Sequence, residues 1–408
     1  MERDLKTGYC CNVHGGTTLE EVKSNLEQHA CEVKRLVSPD VTMPIGLWLS
    51  QSAIAGLGDE SQAHVDATNS FGDWLAERGF DPFTFNGFPL GDFHQEVVKH
   101  DVYLPTWADS SRLQYTMKLA QVQSLLLARA GAAPKFQTIS TLPLGWPTVP
   151  KEKLFTHEDE FLQQCAANLR KLAEYLWRLN NETGNHVMVC IEPEPGCVFD
   201  TCHDIVRFFN QYLLADESAQ GIQLLEYIGV CHDVCHSAVM FEDQATAVKA
   251  YRDAGIRIGK VQVSSAIKVE FGNDEGSNRR KLRQLSQFSE PRYLHQTCVR
   301  RSNGSVEFFE DLSAALASQK HPEGEWRVHF HVPIFAEKLD LMDTTQDEIS
   351  LFLGALRVND VSNVEHYEVE TYAWNVLPED HRDIAGGLAS GIAQELTWFE
   401  KLVRENSP

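Results

Sequence analysis

The 408-residue chain has no run of about 18 apolar residues, so no membrane insertion is expected. Its opening, MERDLKTGYC, lacks the apolar core of a signal peptide, and the expected location is the cytoplasm. The 10 cysteines include no CxxC pair and no regular framework, which points to reduced thiols that fill the core. Cationic residues are scarce: 36 Lys and Arg stand against 58 Asp and Glu, a net charge of −22. A phosphate backbone needs a basic stripe, so nucleic acid is not an expected partner. No GxGxxG follows any apolar run, which removes the dinucleotide-binding fingerprint. Nor is there a Ser/Gly/Pro-rich linker, and a single domain spanning 1–408 is expected.

What is present is a hydrophobic share of 43%, enough for a packed core, arranged in a β–α rhythm. Strand candidates are GYCCNVH (8–14), IGLWLS (45–50), FDPFTFNGF (80–88), KFQTIST (135–141), HVMVCIEPE (186–194), YIGVCHD (227–233), IGKVQVSS (258–265), WRVHFHVPIF (326–335) and EHYEVETYAW (365–374). Amphipathic helical stretches lie between them, among them LEEVKSNLEQHACEVKRLV and DEFLQQCAANLRKLAEYLWRLNNETG. Alternation of this kind predicts a parallel sheet. Ionisable residues stand at the ends of many strands, as at a barrel mouth, so the expected fold is a (β/α)8 TIM barrel. Two long connections, 87–110 and 268–305, are expected to act as lid-like loops. The strand candidates outnumber the barrel's eight places by one. Either GYCCNVH is strand one and WRVHFHVPIF is inserted, the preferred arrangement, or GYCCNVH is a prelude.

Within the strands, polar residues recur two apart, which puts them on one face. Glu192 and Glu194 do so in VCIEPEPG, Glu368, Glu370 and Tyr372 in YEVETYAW, and His329 and His331 in RVHFHVPIF. The run YIGVCHDVCHSAV breaks from β-branched residues into His232, Asp233 and His236, and Gln262 ends another strand. Each feature alone has an ordinary structural explanation in a satisfied core histidine or a solvated carboxylate. Together they would bury several carboxylates at one end of a barrel, which costs several kcal/mol each unless they protonate or meet a cation. A divalent ion (Mn, Zn, Co, Mg or Fe) is therefore the expected cofactor.

These segments resemble the xylose-isomerase-like barrels, which include sugar isomerases, ketose epimerases and the endonuclease IV group. The D-x-x-H of Asp233 and His236, the IEPEPG around Glu192 and the VETYAW around Glu370 carry the resemblance. YCCNVHGG, VYLPTW and VETYAWNVLP further resemble the EboE family of bacterial metabolite-traffic proteins. The resemblance implies that Glu192, Asp233, Gln262 and Glu370 hold the metal, with Gln262 standing where many relatives have His. His329 or His331 is then a candidate for the missing imidazole. It also implies that Glu192 and Glu370 handle the proton in catalysis. FNGFPLG and ISTLPLG lack the His residues of the endonuclease IV three-metal cluster, which speaks against a DNA-repair phosphodiesterase.

Two functions of different class follow. The first is a metal-dependent sugar or sugar-phosphate isomerase or epimerase acting on a small hydroxy-carbonyl metabolite in a bacterial processing or export pathway. Glu192, Glu370 and His236 are then catalytic, and His14, His94, Lys99, Tyr103, Trp107, Glu194 and Tyr372 bind substrate. Lys99 is a candidate partner for a substrate phosphate or carboxylate. The second is a metabolite-binding barrel that has lost turnover. In both, the partner is a small molecule.

Overall fold

The computed structural model describes residues 5–57, 62–128, 136–148, 159–215, 223–318, 322–379 and 385–406. Its strands are, in chain order, β1 (Lys6–Tyr9), β2 (Met43–Trp48), β3 (Phe80–Asn86), β4 (Phe136–Thr141), β5 (His186–Ile191), β6 (Ile228–Asp233) and β7 (Ile258–Val263). There follow β8 (Ile267–Phe271), β9 (Thr297–Arg300), β10 (Val306–Phe309), β11 (Gly324–Val328), β12 (Lys338–Leu339), β13 (Met342–Thr344) and β14 (His366–Val369).

β1 to β7 and β14 form an eight-stranded parallel sheet in the order β1-β14-β7-β6-β5-β4-β3-β2. A parallel bridge from Cys10 to Gly46 brings the two edges together, so the sheet closes into the expected barrel. β8 to β13 form a second, six-stranded sheet, inserted between the last two barrel strands. GYCCNVH therefore supplies strand one, and the segment from Trp326 belongs to the insertion.

The outer helices follow from their sequence. The Glu160–Thr183 helix starts at Asp159, whose carboxylate accepts from the amides of Phe161 and Leu162, and ends at Gly184 in the left-handed conformation. Leu162, Cys165, Ala166, Leu169, Leu172, Ala173 and Leu176 recur at helical spacing and are buried against the barrel. Truncating Leu169 to Ala would cost about 2–5 kcal/mol through the cavity left behind.

The interior is layered. Met188 and Cys190 of β5 and Cys231 of β6 pack together inside the barrel, separate from the main core. At the next position of the same alternation come Glu192, just past the end of β5, and Asp233, the last residue of β6, and both reach the mouth. Between these layers Lys260 of β7 reaches Glu368 of β14 at 2.7 Å, with both side chains fully buried. Gly46 makes room for that pair, since a Cβ there would stand 1.5 Å from Glu368 Oε1.

The connection 268–305 is not an open lid. It carries β8 and β9 of the inserted sheet and the Glu275–Leu285 helix between them. The strands have only 5 and 4 residues, and the helix is dominated by charged and polar side chains, so they read as loop. The connection 87–110 has one short 3-10 turn, Lys99–Tyr103, and is tied to the insertion by hydrogen bonds from the backbone amides of Val98 and Lys99 to Arg292 O.

Candidate active site at the barrel mouth

The C-terminal ends of the barrel strands open into a pocket of about 530 Å³, counted to its open mouth. Its floor is polar, with Asn12, Asn86, Glu192, Glu194, Glu370 and three histidines. Its walls are apolar and aromatic, with Phe88, Phe93, Tyr103, Tyr293, Leu294 and Tyr372. A concave apolar pocket with convergent polar groups is the usual form of a small-molecule site.

Glu192, Asp233 and Glu370 each place a carboxylate oxygen within 4.8 Å of the others, and all are buried. Asp233 caps the helix Val234–Val239: its Oδ1 accepts from His236 N at 2.8 Å and from Ser264 Oγ at 2.8 Å. The D-x-x-H spacing thus turns His236 over the pocket, while Asp233 Oδ2 is left without a partner. Glu370 Oε1 accepts from Asn12 Nδ2 at 2.7 Å and Asn86 Nδ2 at 2.8 Å. Glu192 Oε2, His331 Nε2 and both amide atoms of Gln262 are buried with no partner in the structure.

Burial is the chief reason that the carboxyls of Glu192 and Glu370 are pushed well above the usual range; repulsion from Glu370 and Asp233 adds to it for Glu192, and from Asp233 and Glu368 for Glu370. Burial also raises Asp233, against an opposing pull from His331. Glu194 rises to about 7 for the same reason, opposed by hydrogen bonds from Tyr103 and Gln296. Burial lowers His236 to about 3 and His331 to about 4, and takes His329 well below its ordinary value. The site thus combines crowded carboxylates, neutral imidazoles and orphaned ligand atoms, which suits a divalent cation bound by oxygen and nitrogen.

Most other sequence-predicted residues fall into three groups. Tyr103, Glu194, Tyr372, His329 and His331 line the pocket, with Tyr103 donating to Glu194 Oε1 at 2.7 Å and Tyr372 packed against His331. Lys99 also lines it, but its ammonium is engaged with Asp311 of the insertion and is not free for a substrate phosphate. His14, His94 and Trp107 do not line it. His14 turns back to Tyr9 and stacks on His29, because the Cys11–Val13 turn ends the strand early. His94 holds the backbone of Asn12 at 2.7 Å and so supports the pocket from behind. Trp107 is fully buried and donates to Thr141 Oγ1 at 3.1 Å. His232 points out of the barrel, bonded to Gln244 and stacked on Phe352.

Gln262 faces the interior two residues after Lys260, paired in register with Asp233 and Glu368. Sequence reasoning missed Asn12, Asn86 and Gln296. Asn12 lies inside the quoted YCCNVH, and its place beside the barrel's last strand was the available signal.

No family model and no curated protein matches the chain. Among solved structures, the chain is similar to a D-tagatose 3-epimerase-like protein, at 9% identity and a TM-score of 0.47 over 98% of each chain. It is also similar to an IolI protein with a bound zinc atom, at 12% identity and a TM-score of 0.46 over 99% of each chain. A 3-keto-D-glucoside 4-epimerase from E. coli matches at 11% identity and a TM-score of 0.42, over 97% of this chain and 99% of that one. Likeness of this depth assigns no activity, and the chemistry below is drawn from the chain's own residues. No helix among the described residues is long and apolar enough to cross a membrane.

Proposed function

We propose that the chain is a divalent-metal-dependent enzyme of the isomerase or epimerase type, which moves a proton on the carbon beside the carbonyl of a small hydroxy-carbonyl compound. The observation that carries this reading is the convergence of buried Glu192, Asp233 and Glu370 at the floor of an apolar-walled pocket. Those carboxylates, with Gln262 beside them, would hold the cation. When bound, it would polarise the substrate oxygens and acidify the adjacent C–H.

The chain's own groups do the rest. Asn12 and Asn86 anchor one oxygen of Glu370, which leaves its other oxygen to take or return a proton. Glu192, with a raised proton affinity and an unpartnered Oε2, is the second proton-handling carboxylate. His236 stays neutral and orients a substrate oxygen. Phe93, Tyr293 and Tyr372 exclude water from the reacting carbon. With Lys99 engaged by Asp311, an unphosphorylated substrate is favoured over a sugar phosphate.

A binding-only barrel is the second reading, favoured by the neutral Gln262 in a position where imidazole would grip a transition metal more tightly. A place in a bacterial metabolite-processing or export pathway rests on the YCCNVHGG and VYLPTW resemblance alone. The test is deuterium exchange. The Mn²⁺- or Zn²⁺-supplemented protein is incubated in D2O with a panel of aldoses, ketoses and their phosphates, and label beside the carbonyl is followed by NMR. Exchange that disappears in Glu370→Gln supports the enzyme. Saturable binding without exchange across the panel supports the binder.

A further inference from the structure

The pocket divides into a floor with unpartnered polar atoms and walls whose polar atoms are already bonded. At the floor Asn12 Oδ1, Glu192 Oε2 and His331 Nε2 are buried without a partner. On the walls the side chains of Phe88, Pro89, Phe93, Val98, Val102 and Leu294 present hydrocarbon only. The hydroxyls of Tyr103 and Tyr293 are spent inside the protein: the first donates to Glu194 Oε1 at 2.7 Å, the second to Phe93 O at 3.1 Å. Lys99 is held by Asp311. Tyr372, whose ring lies 4.7 Å from that of the floor's His331, brings the remaining wall hydroxyl.

The backbone of the wall is met from behind in the same way. Phe88 N donates to Asn86 Oδ1 at 3.0 Å, and Phe88 O accepts from the Arg112 guanidinium at 3.0 Å. Pro89 O accepts from Trp48 Nε1 at 2.9 Å and from the Tyr115 hydroxyl at 3.3 Å. Val98 N donates to Arg292 O at 2.8 Å. Trp48, Arg112 and Tyr115 are themselves buried, so three large polar side chains are used to close the wall's carbonyls rather than to meet a ligand.

A hydroxyl pressed against such a wall gives up its water and receives no partner, which opposes binding, whereas hydrocarbon is drawn there by burial. We infer that the substrate joins its hydroxy-carbonyl head, seated on the floor, to an uncharged hydrocarbon body, alkyl or aryl, rather than to the polyol chain of a sugar. This rests on the hydroxy-carbonyl reading above. Phe88, Phe93, Val98 and Leu294 then determine specificity. The connection 87–110 supplies the first three and the connection 268–305 the fourth.

The test compares probes that share a hydroxymethyl ketone head: erythrulose, whose tail carries two hydroxyls, 1-hydroxybutan-2-one, which lacks both, and 2-hydroxyacetophenone, which has a phenyl ring. Affinity for the full chain with Mn²⁺ is measured by isothermal titration, and exchange of the hydroxymethyl hydrogens in D2O by NMR. Erythrulose should bind about 10–100-fold more weakly than 1-hydroxybutan-2-one, with 2-hydroxyacetophenone the tightest. Val98→Thr and Leu294→Asn, which set a polar group on the wall at nearly constant size, should each narrow that gap severalfold. Should one of them fail to fold by circular dichroism, the other decides. Erythrulose bound as tightly as the hydrocarbon probes overturns the hydrocarbon body and leaves the proton-transfer reading to its own test. Preference for the hydrocarbon probes without exchange in any of them keeps the hydrocarbon body and supports the binding-only barrel. No binding of any probe, with or without Mn²⁺, overturns both.

Discussion

Lys260 and Glu368 form an ion pair inside the barrel, at 2.7 Å and with no exposure of either side chain. Lys260 also donates to Ser140 Oγ at 3.0 Å. The pair lies one layer beneath the site, and Lys260 also acts on Glu192 and Glu370 above it, against the effect of their burial.

Removing one partner strands the other. Lys260→Met should destabilise the fold by about 3–5 kcal/mol, because Glu368 is left buried and uncompensated. Lys260→Met with Glu368→Leu should recover much of that loss. Urea denaturation of the three proteins checks this; a double variant no more stable than Lys260→Met would contradict it.

Asn12, in the turn after β1, and Asn86, at the end of β3, hold Glu370, and such supporting bonds typically govern metal affinity by about 10–100-fold. Asn12→Ala and Asn86→Ala should each weaken metal binding to that extent while the protein stays folded. Isothermal titration with Mn²⁺ measures the change, and unaltered affinity in both variants would show that Glu370 needs no anchoring.

Glu395 provides a pH signature away from the site. It is buried, accepts from Trp374 Nε1 at 3.0 Å and Ile334 N at 3.1 Å, and its pKa is raised by burial to about 7 from 4.5. The folded state therefore holds this proton more tightly than the unfolded chain. The resulting stability is full below about pH 4.5 and is lost as pH rises through 7. Relative to Glu395→Gln, which does not titrate, wild type should lose on the order of 3 kcal/mol between pH 4.5 and 8. Parallel stability curves for the two proteins would refute the assignment.

Much of the site was legible because strand alternation is a strict period. Once Cys190 and Cys231 face inward, Asp233 follows on β6, and Glu192 and Glu370 continue the alternation one residue past the ends of β5 and β14. That Glu368 is spent on Lys260 was not legible, since pairing across the barrel depends on register. Histidine and tryptophan identity carried little information: His331 aims a bare nitrogen into the site, while His14 turns to Tyr9 and Trp107 bonds to Thr141, both away from the pocket. The inserted sheet was half visible. Its Trp326 strand stood out, but β8, β9 and β10 are too short and too polar on one face to mark themselves. Asn12, Asn86 and Gln296 escaped because an amide shows its purpose only when its partners are known.

The measurement closest to the centre of this account is elemental analysis of the protein purified without added metal or chelator, with Asp233→Ala alongside. Asp233 belongs both to the carboxylate group and to the group with His236 and His331. The prediction is bound Mn, Zn, Co or Fe in wild type and its loss from a folded Asp233→Ala. A wild-type protein that holds no metal, even after titration with each ion, would contradict the metal centre and leave a barrel that only binds its metabolite.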